Sequence, residues 1–277
     1  MSGCSGNCSS CGESCSDRKQ ESLLAEPNKN SQVKKVIAVV SGKGGTGKTS
    51  FTANTGLALA SLGQHVLCMD CDITLRNLDL ALGLSDRALM DFSDVLAARC
   101  TLEQAAVTHE QYPTLDLLTA PMADKPLALT VRQLAALARE IRERYDWCLM
   151  DAPAGLGQGF KMAACMADQV IVVTTTDISA MRDAQRTAME LSAFPANAVH
   201  LVVGRVSRKT LRALHTTIDD AIDTAGLPLL GVIPEDEDVP YCLNRGLVLR
   251  DRNYYAARAY ENIAKRIMGR KVPLMKI

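Results

Sequence analysis

The sequence predicts an α/β fold with a doubly wound, mainly parallel sheet, and three observations lead there. From about residue 34, short apolar runs rich in β-branched residues alternate with longer stretches of helical periodicity. That alternation builds a sheet of parallel strands with helices on both faces. A glycine-rich stretch follows the first apolar run directly and opens the first helical stretch. Aspartates end two other apolar runs. The carboxyl ends of strands are where open α/β sheets hold ligands.

Val36–Val40 is a five-residue apolar run and reads as a buried strand. A helix follows from Lys48 to about Leu62, and Val66–Met69 is the next strand. Ser85 is placed to cap a helix over Leu89–Ala98, and Thr101 with Gln104 makes a capping-box pattern for another. Leu115–Leu118 reads as a short strand, and Val131–Tyr145 carries apolar residues at helical spacing. Trp147–Met150, Val170–Thr174, Leu201–Val203 and Leu229–Ile233 are further strands, separated by helical stretches, and Tyr254–Met268 closes the chain as a helix. Residues 1–33 are polar and read as a cysteine-rich flexible tail and linker, which leaves 34–277 as one domain.

Composition narrows the function. At 47% hydrophobic and 22% charged, the 277-residue chain can bury a proper core. Lys+Arg and Asp+Glu are equal at 31 each, so no basic excess advertises a specific nucleic-acid partner. No apolar run approaches the roughly 18 residues of a spanning helix, and no secretory signal opens the chain, so a cytoplasmic setting is expected. His65, His109, His200 and His215 show no ligand spacing and read as structural or surface residues. Arg205, Arg208, Lys209 and Arg212 read as a solvated helix start.

Gly42-Lys43-Gly44-Gly45-Thr46-Gly47-Lys48-Thr49 fits G-x-x-x-x-G-K-T in its required setting, after a strand and before a helix. Glycines let backbone N–H groups turn toward phosphate oxygens, and the helix N-terminus adds positive potential. Gly42 to Ser50 is therefore the expected nucleotide loop, with Lys48 on the β- and γ-phosphates and Thr49 on magnesium. Lys43 is a second lysine inside this loop. It is either a solvated loop residue or a charge that crosses to the nucleotide of a partner subunit. Asp70 and Asp72 end the second strand and share one side by alternation, and Asp151 ends another. Asp151 and Asp70 are expected at magnesium, directly or through water. A bland alternative for all three is capping of the following helix.

Ten cysteines are present, and Cys4, Cys8, Cys11 and Cys15 crowd into the first fifteen residues. Four thiolates so close could hold zinc or an iron–sulfur cluster, or could stay free in an unstructured tail. The other six lie in or beside apolar segments and read as small buried hydrophobes.

The loop Ser41–Thr49 resembles the deviant phosphate loop of the ParA/MinD ATPases. Asp70-Cys71-Asp72-Ile73-Thr74-Leu75-Arg76-Asn77-Leu78-Asp79 is similar to the MinD branch, as are Asp151–Gly155, Ser179–Asp183 and Gly231–Asp236. The resemblance covers about residues 34–274. It implies a P-loop NTPase of the SIMIBI/MinD type, a slow ATP hydrolase that needs ATP, Mg2+ and an ATP-dependent homodimer, and acts as a positioning switch at the division site or elsewhere in the cell. It implies that Lys43 acts across the dimer, that Asp72 orients the attacking water, that Asp151 supports magnesium and the second switch, and that Pro234, Glu235 and Asp236 lie near adenine. It also implies a regulatory or effector protein partner.

Three features depart from the pattern. Where the family often carries a base-reading Asn, this chain has Gly204 followed by Arg205, and Arg205 is expected among the nucleotide-binding residues. The end Lys271–Ile277, with Pro273, shows no amphipathic membrane-targeting helix, so membrane association is expected only through a partner or another route. The cysteine tail resembles the N-terminus of Mrp-type iron–sulfur carriers, whose activity is the alternative reading. The C-x-x-C usual in that group is missing after residue 34.

Overall fold

A computed structural model describes residues 35–122, 129–249 and 254–275, all within one unit, Lys34–Ile277. The chain begins with β1 (Lys35–Val40), α1 (Lys48–Ser61) and β2 (Val66–Asp70), then the short helices α2 (Leu78–Ala81), α3 (Phe92–Leu96) and α4 (Leu102–Ala105). β3 (Val107–Thr108), β4 (Leu115–Leu118), α5 (Val131–Arg144), β5 (Trp147–Asp151), α6 (Gln158–Met166) and β6 (Gln169–Thr174) follow. The last third holds α7 (Ile178–Glu190), β7 (Val199–Val206), α8 (Arg208–Leu214), α9 (Ile218–Ala225), β8 (Leu229–Pro234), α10 (Asp238–Leu243) and α11 (Tyr254–Ile267).

The eight strands form one sheet in the order β3-β4-β2-β5-β1-β6-β7-β8. Every neighbouring pair is parallel except β3 with β4. β1 lies between β5 and β6, so the connections diverge to its two sides and leave a crevice at its carboxyl end. Alternation divides the core. Val36, Ala38 and Val40 face a layer containing α5, α6, α7 and α9, while Ile37 and Val39 face α1 and α11. With both faces covered, β1 needs no polar face, which is why its sequence is a continuous apolar run.

The expected strands and the long helices are present. Two elements differ from their expected bounds by more than a residue. The helix expected over Leu89–Ala98 from a Ser85 cap is α3, which starts at Phe92. Asp91 caps it, accepting N–H bonds from Ser93 and Asp94, and Asp94 completes the box by accepting from the Asp91 N–H. A carboxylate set beside the first turn satisfies more orphan donors than a serine further upstream. Leu89 is left outside the helix at 93% exposure. α2 and the two-residue edge strand β3 carry too few residues to show a period. β7 runs from Val199 to Val206, longer than the apolar run Leu201–Val203, with irregular register against β8.

Candidate nucleotide site

The loop after β1 turns sharply into α1. Gly45 and Gly47 adopt left-handed φ values of 79° and 94°, conformations that favour glycine. Gly42 has a different reason: a Cβ there would lie 2.5 Å from Cβ of Asp183 on α7. Lys48 and Thr49 begin α1, and Lys48 is buried beneath the loop. The Thr46 hydroxyl is buried with no hydrogen-bond partner. An orphaned donor in a phosphate loop fits a ligand oxygen.

Asp151 ends β5 directly opposite Asp70, which ends β2. Thr49 Oγ1 donates to Asp151 Oδ2 at 2.6 Å, and Thr52 Oγ1 reaches Asp151 Oδ1 at 3.4 Å. Burial pushes the Asp151 carboxyl up to about 6, against the opposing pull of Lys48 and of the Thr49 bond. Burial, then the neighbouring Asp151, pushes Asp70 up to about 7. Two buried carboxylates in this state attract a cation. Among the described residues no group of three or more His, Cys, Asp or Glu side chains could hold a metal. A divalent ion here must therefore draw most of its oxygens from a nucleotide and water, as magnesium does in phosphate loops. The residues present fit that arrangement.

Asp72 lies near enough to push the Asp151 carboxyl up, yet it and Lys43 are engaged by their own neighbours. Asp72 folds its own loop: its Oδ1 accepts from the Thr74 N–H at 3.0 Å, the Thr74 hydroxyl at 2.6 Å and the Leu75 N–H at 3.0 Å. Lys43 Nζ donates to Asp177 Oδ1 and to Ser179 Oγ, both at 2.8 Å, at the start of α7. Burial would raise the Asp177 carboxyl, but bonds from Lys43, Thr175, Ser179 and the Ala180 N–H outweigh it and hold it well below the usual range.

Gly45, Thr46, Gly47 and Ser50 open onto a cleft of about 870 Å³, whose far wall includes Arg205, Pro234, Glu235 and Asp236. Arg205 sits at φ 55° and donates to the Gly45 carbonyl at 3.3 Å while its other arm lies 3.6 Å from Glu235. A Cβ at Gly204 would lie 3.3 Å from the Thr46 carbonyl, a tight contact that the loop could relieve only by giving a few tenths of an ångström. Sequence reasoning missed Tyr260, Lys209, Val239 and Leu243, which also line this cleft. They come from α8, α10 and α11, which no motif links. Cys4, Cys8, Cys11 and Cys15 lie outside the described residues. Of the other six cysteines, Cys68, Cys71, Cys148 and Cys242 are buried, whereas Cys165 is exposed and Cys100 half-buried.

Among solved structures, the chain is similar to the MinD cell division protein of Aquifex aeolicus in its MinC:MinD complex, with a TM-score of 0.80 and 35% identity over 87% of this chain and 98% of that one. It is also similar to the Pyrococcus horikoshii septum site-determining protein MinD complexed with Mg-ADP, with a TM-score of 0.74 and 30% identity over 84% and 95%. Fold and site together define a phosphate-loop ATPase. A family model described as an AAA domain matches residues 34–196. Septum site-determining proteins MinD from Synechocystis sp. and Bacillus subtilis are 37% and 39% identical, covering 87% and 86% of this chain and 92% and 90% of theirs. The chain belongs to the MinD family of P-loop ATP hydrolases.

Proposed function

We propose that this chain is an ATP-dependent dimerising switch serving division-site placement or intracellular positioning. The observation that carries the proposal is Lys43, a second lysine in the phosphate loop that is held on α7 and not over its own phosphate site. A flexible cation parked at the loop edge is suited to reach the phosphates of a second subunit and to stabilise charge developing there. Lys48 and the loop N–H groups hold the nucleotide phosphates. Thr49 and Asp151 would hold magnesium, with Asp70 reaching it through water, and the ion would supply positive charge against the phosphates. Asp72 orients the attacking water once its turn opens. Arg205, Pro234, Glu235 and Asp236 enclose the base. The MinC complex of the Aquifex relative supports an effector protein as the partner that reads the dimer.

Lys43→Ala tests this reading. ATP binding should survive, while ATP-dependent dimerisation by light scattering is lost and hydrolysis falls on the order of 1,000-fold. Unchanged turnover would overturn the role across the dimer. Among the described residues no helix is long and apolar enough to cross a membrane. A metal or cluster on the four tail cysteines is a separate proposal. Metal and sulfide content with an absorption spectrum, on anaerobically purified full-length protein beside a version starting at Val33, decides it.

A further inference from the structure

We propose that Asp70 is a positioning residue that closes the loop from Asp72 to Leu78 and thereby sets where Asp72 can reach. Asp70 ends β2 and is 1% exposed. Its Oδ1 accepts the Asp72 N–H at 2.8 Å. Its Oδ2 accepts the Asn77 N–H at 3.3 Å and the Leu78 N–H at 3.1 Å. One carboxylate thus grips both the departure and the return of the loop.

The return grip replaces a missing cap. Leu78 is the first residue of α2, and Asn77 at the N-cap position makes no side-chain cap bond. Unpaired N–H groups at a helix start need an acceptor, and Asp70, eight residues earlier in sequence, supplies it. The buried carboxylate in turn needs those donors, because an ionised group out of water is costly unless hydrogen-bonded. Three of its roughly four lone-pair sites are used this way, which leaves one for a water on the cation. The strand end that carries Asp70 is itself fixed: it lies opposite Asp151, and the Cys71 N–H donates to the Asp151 carbonyl at 2.9 Å.

Between the two grips Asp72 makes its own turn onto Thr74 and Leu75. Opening that turn frees the Asp72 carboxylate while Asp70 keeps its backbone within a short radius of the phosphate loop. Asp70 acts on turnover through Asp72, not by touching substrate. This consequence rests on the reading of Asp72 as the group that orients water.

Two measurements on the full-length chain test the proposal. The first is residue-resolved amide exchange without nucleotide. In the wild type the Asp72, Asn77 and Leu78 amides should exchange slowly. In Asp70→Asn the amide keeps one acceptor and turns a donor toward the other grip, so protection should fall roughly 10-fold or more at Asp72 or at Asn77 and Leu78, while Leu149 in β5 stays protected. Wild-type amides that exchange as fast as a free loop overturn the proposal, with no variant required. The second is steady-state hydrolysis across magnesium concentrations. Asp70→Asn should lower kcat roughly 10-fold or more even at magnesium concentrations that saturate the variant, with KM for ATP unchanged. A shifted magnesium midpoint with the loop amides still protected means that Asp70 serves the cation, and the proposal falls. If loop protection is lost but kcat holds, Asp72→Asn separates the causes. Turnover lost in Asp72→Asn overturns the positioning role, whereas turnover kept there overturns the reading of Asp72 instead.

Discussion

Lys43 and Asp177 are each a little over one-third exposed where they pair, so water screens the bond. Such pairs contribute up to about 1 kcal/mol. That is weak enough for a nucleotide on a second subunit to win the lysine. Asp177→Asn keeps an acceptor for the Ala180 N–H at the cap of α7 but removes the charge. It should lower the protein concentration needed for ATP-dependent dimerisation by up to about fivefold, read by light scattering. Thr49 is held more tightly, since its hydroxyl is a donor to a buried carboxylate. Thr49→Ala leaves Asp151 short of that donor and should cost about 1–3 kcal/mol by urea unfolding, together with a higher magnesium requirement. Thr49→Ser should restore both.

At the scale of elements, helix ends decide more than helix interiors. α3, α4, α5 and α9 each begin with a reciprocal capping box. α2 has none and depends on Asp70. The other end of α2 runs into Gly83, at φ 68°, which packs against Gly246 beyond α10 so closely that a Cβ at Gly83 would lie 2.5 Å from the Gly246 carbonyl. Gly83→Ala combines left-handed strain with a backbone clash and should destabilise by about 2 kcal/mol or more in urea unfolding. Gly157→Ala, where a Cβ meets nothing within 4 Å and φ is negative, should be nearly neutral. Of these elements, the capping box of α4 was legible from Thr101 and Gln104. The cap of α3 is not legible in the same way, because Ser85 and Asp91 are both acceptable caps in sequence. Only the packing of Phe92 into the core, with its N–H on the Thr119 carbonyl, selects Asp91.

For the whole molecule, the fold holds one buried histidine and one half-buried histidine that resist protonation. His109 accepts the Gln111 and Tyr112 N–H groups on Nδ1, and burial lowers its pKa, opposed by Glu110 and a bond to Leu82 and assisted by Arg87. His200 is lowered by burial and by Lys35. In the unfolded chain both take up a proton near the ordinary pKa of about 6.5, whereas the folded chain does so only at lower pH. Their stabilisation is therefore full above about 6.5 and is lost as pH falls through the folded values. Melting temperature measured from pH 7.5 down to 5.5 should drop, and His109→Asn, which keeps an acceptor for the two N–H groups, should flatten part of that drop. These histidines carry structure, as their scattered sequence positions suggested, while the nucleotide chemistry sits at the opposite, carboxyl ends of the central strands.

Contiguous residues were enough to read the α/β class, most of the strands, the phosphate-loop motif from Gly42 to Ser50 and the aspartates at the strand ends. Each of these is a local pattern, a period or a fixed spacing written in contiguous residues. Tertiary structure alone decided what those residues touch. Asp70 became the acceptor for a helix start eight positions on, and Lys43 was parked on α7, 134 residues away. Tyr260 and Lys209 joined Pro234 around one cleft, and Gly204 came up close against the Thr46 carbonyl of the phosphate loop. Each of those contacts depends on the order in which the strands pair. That order is set by how two apolar faces are covered at once, and no single stretch of sequence contains it.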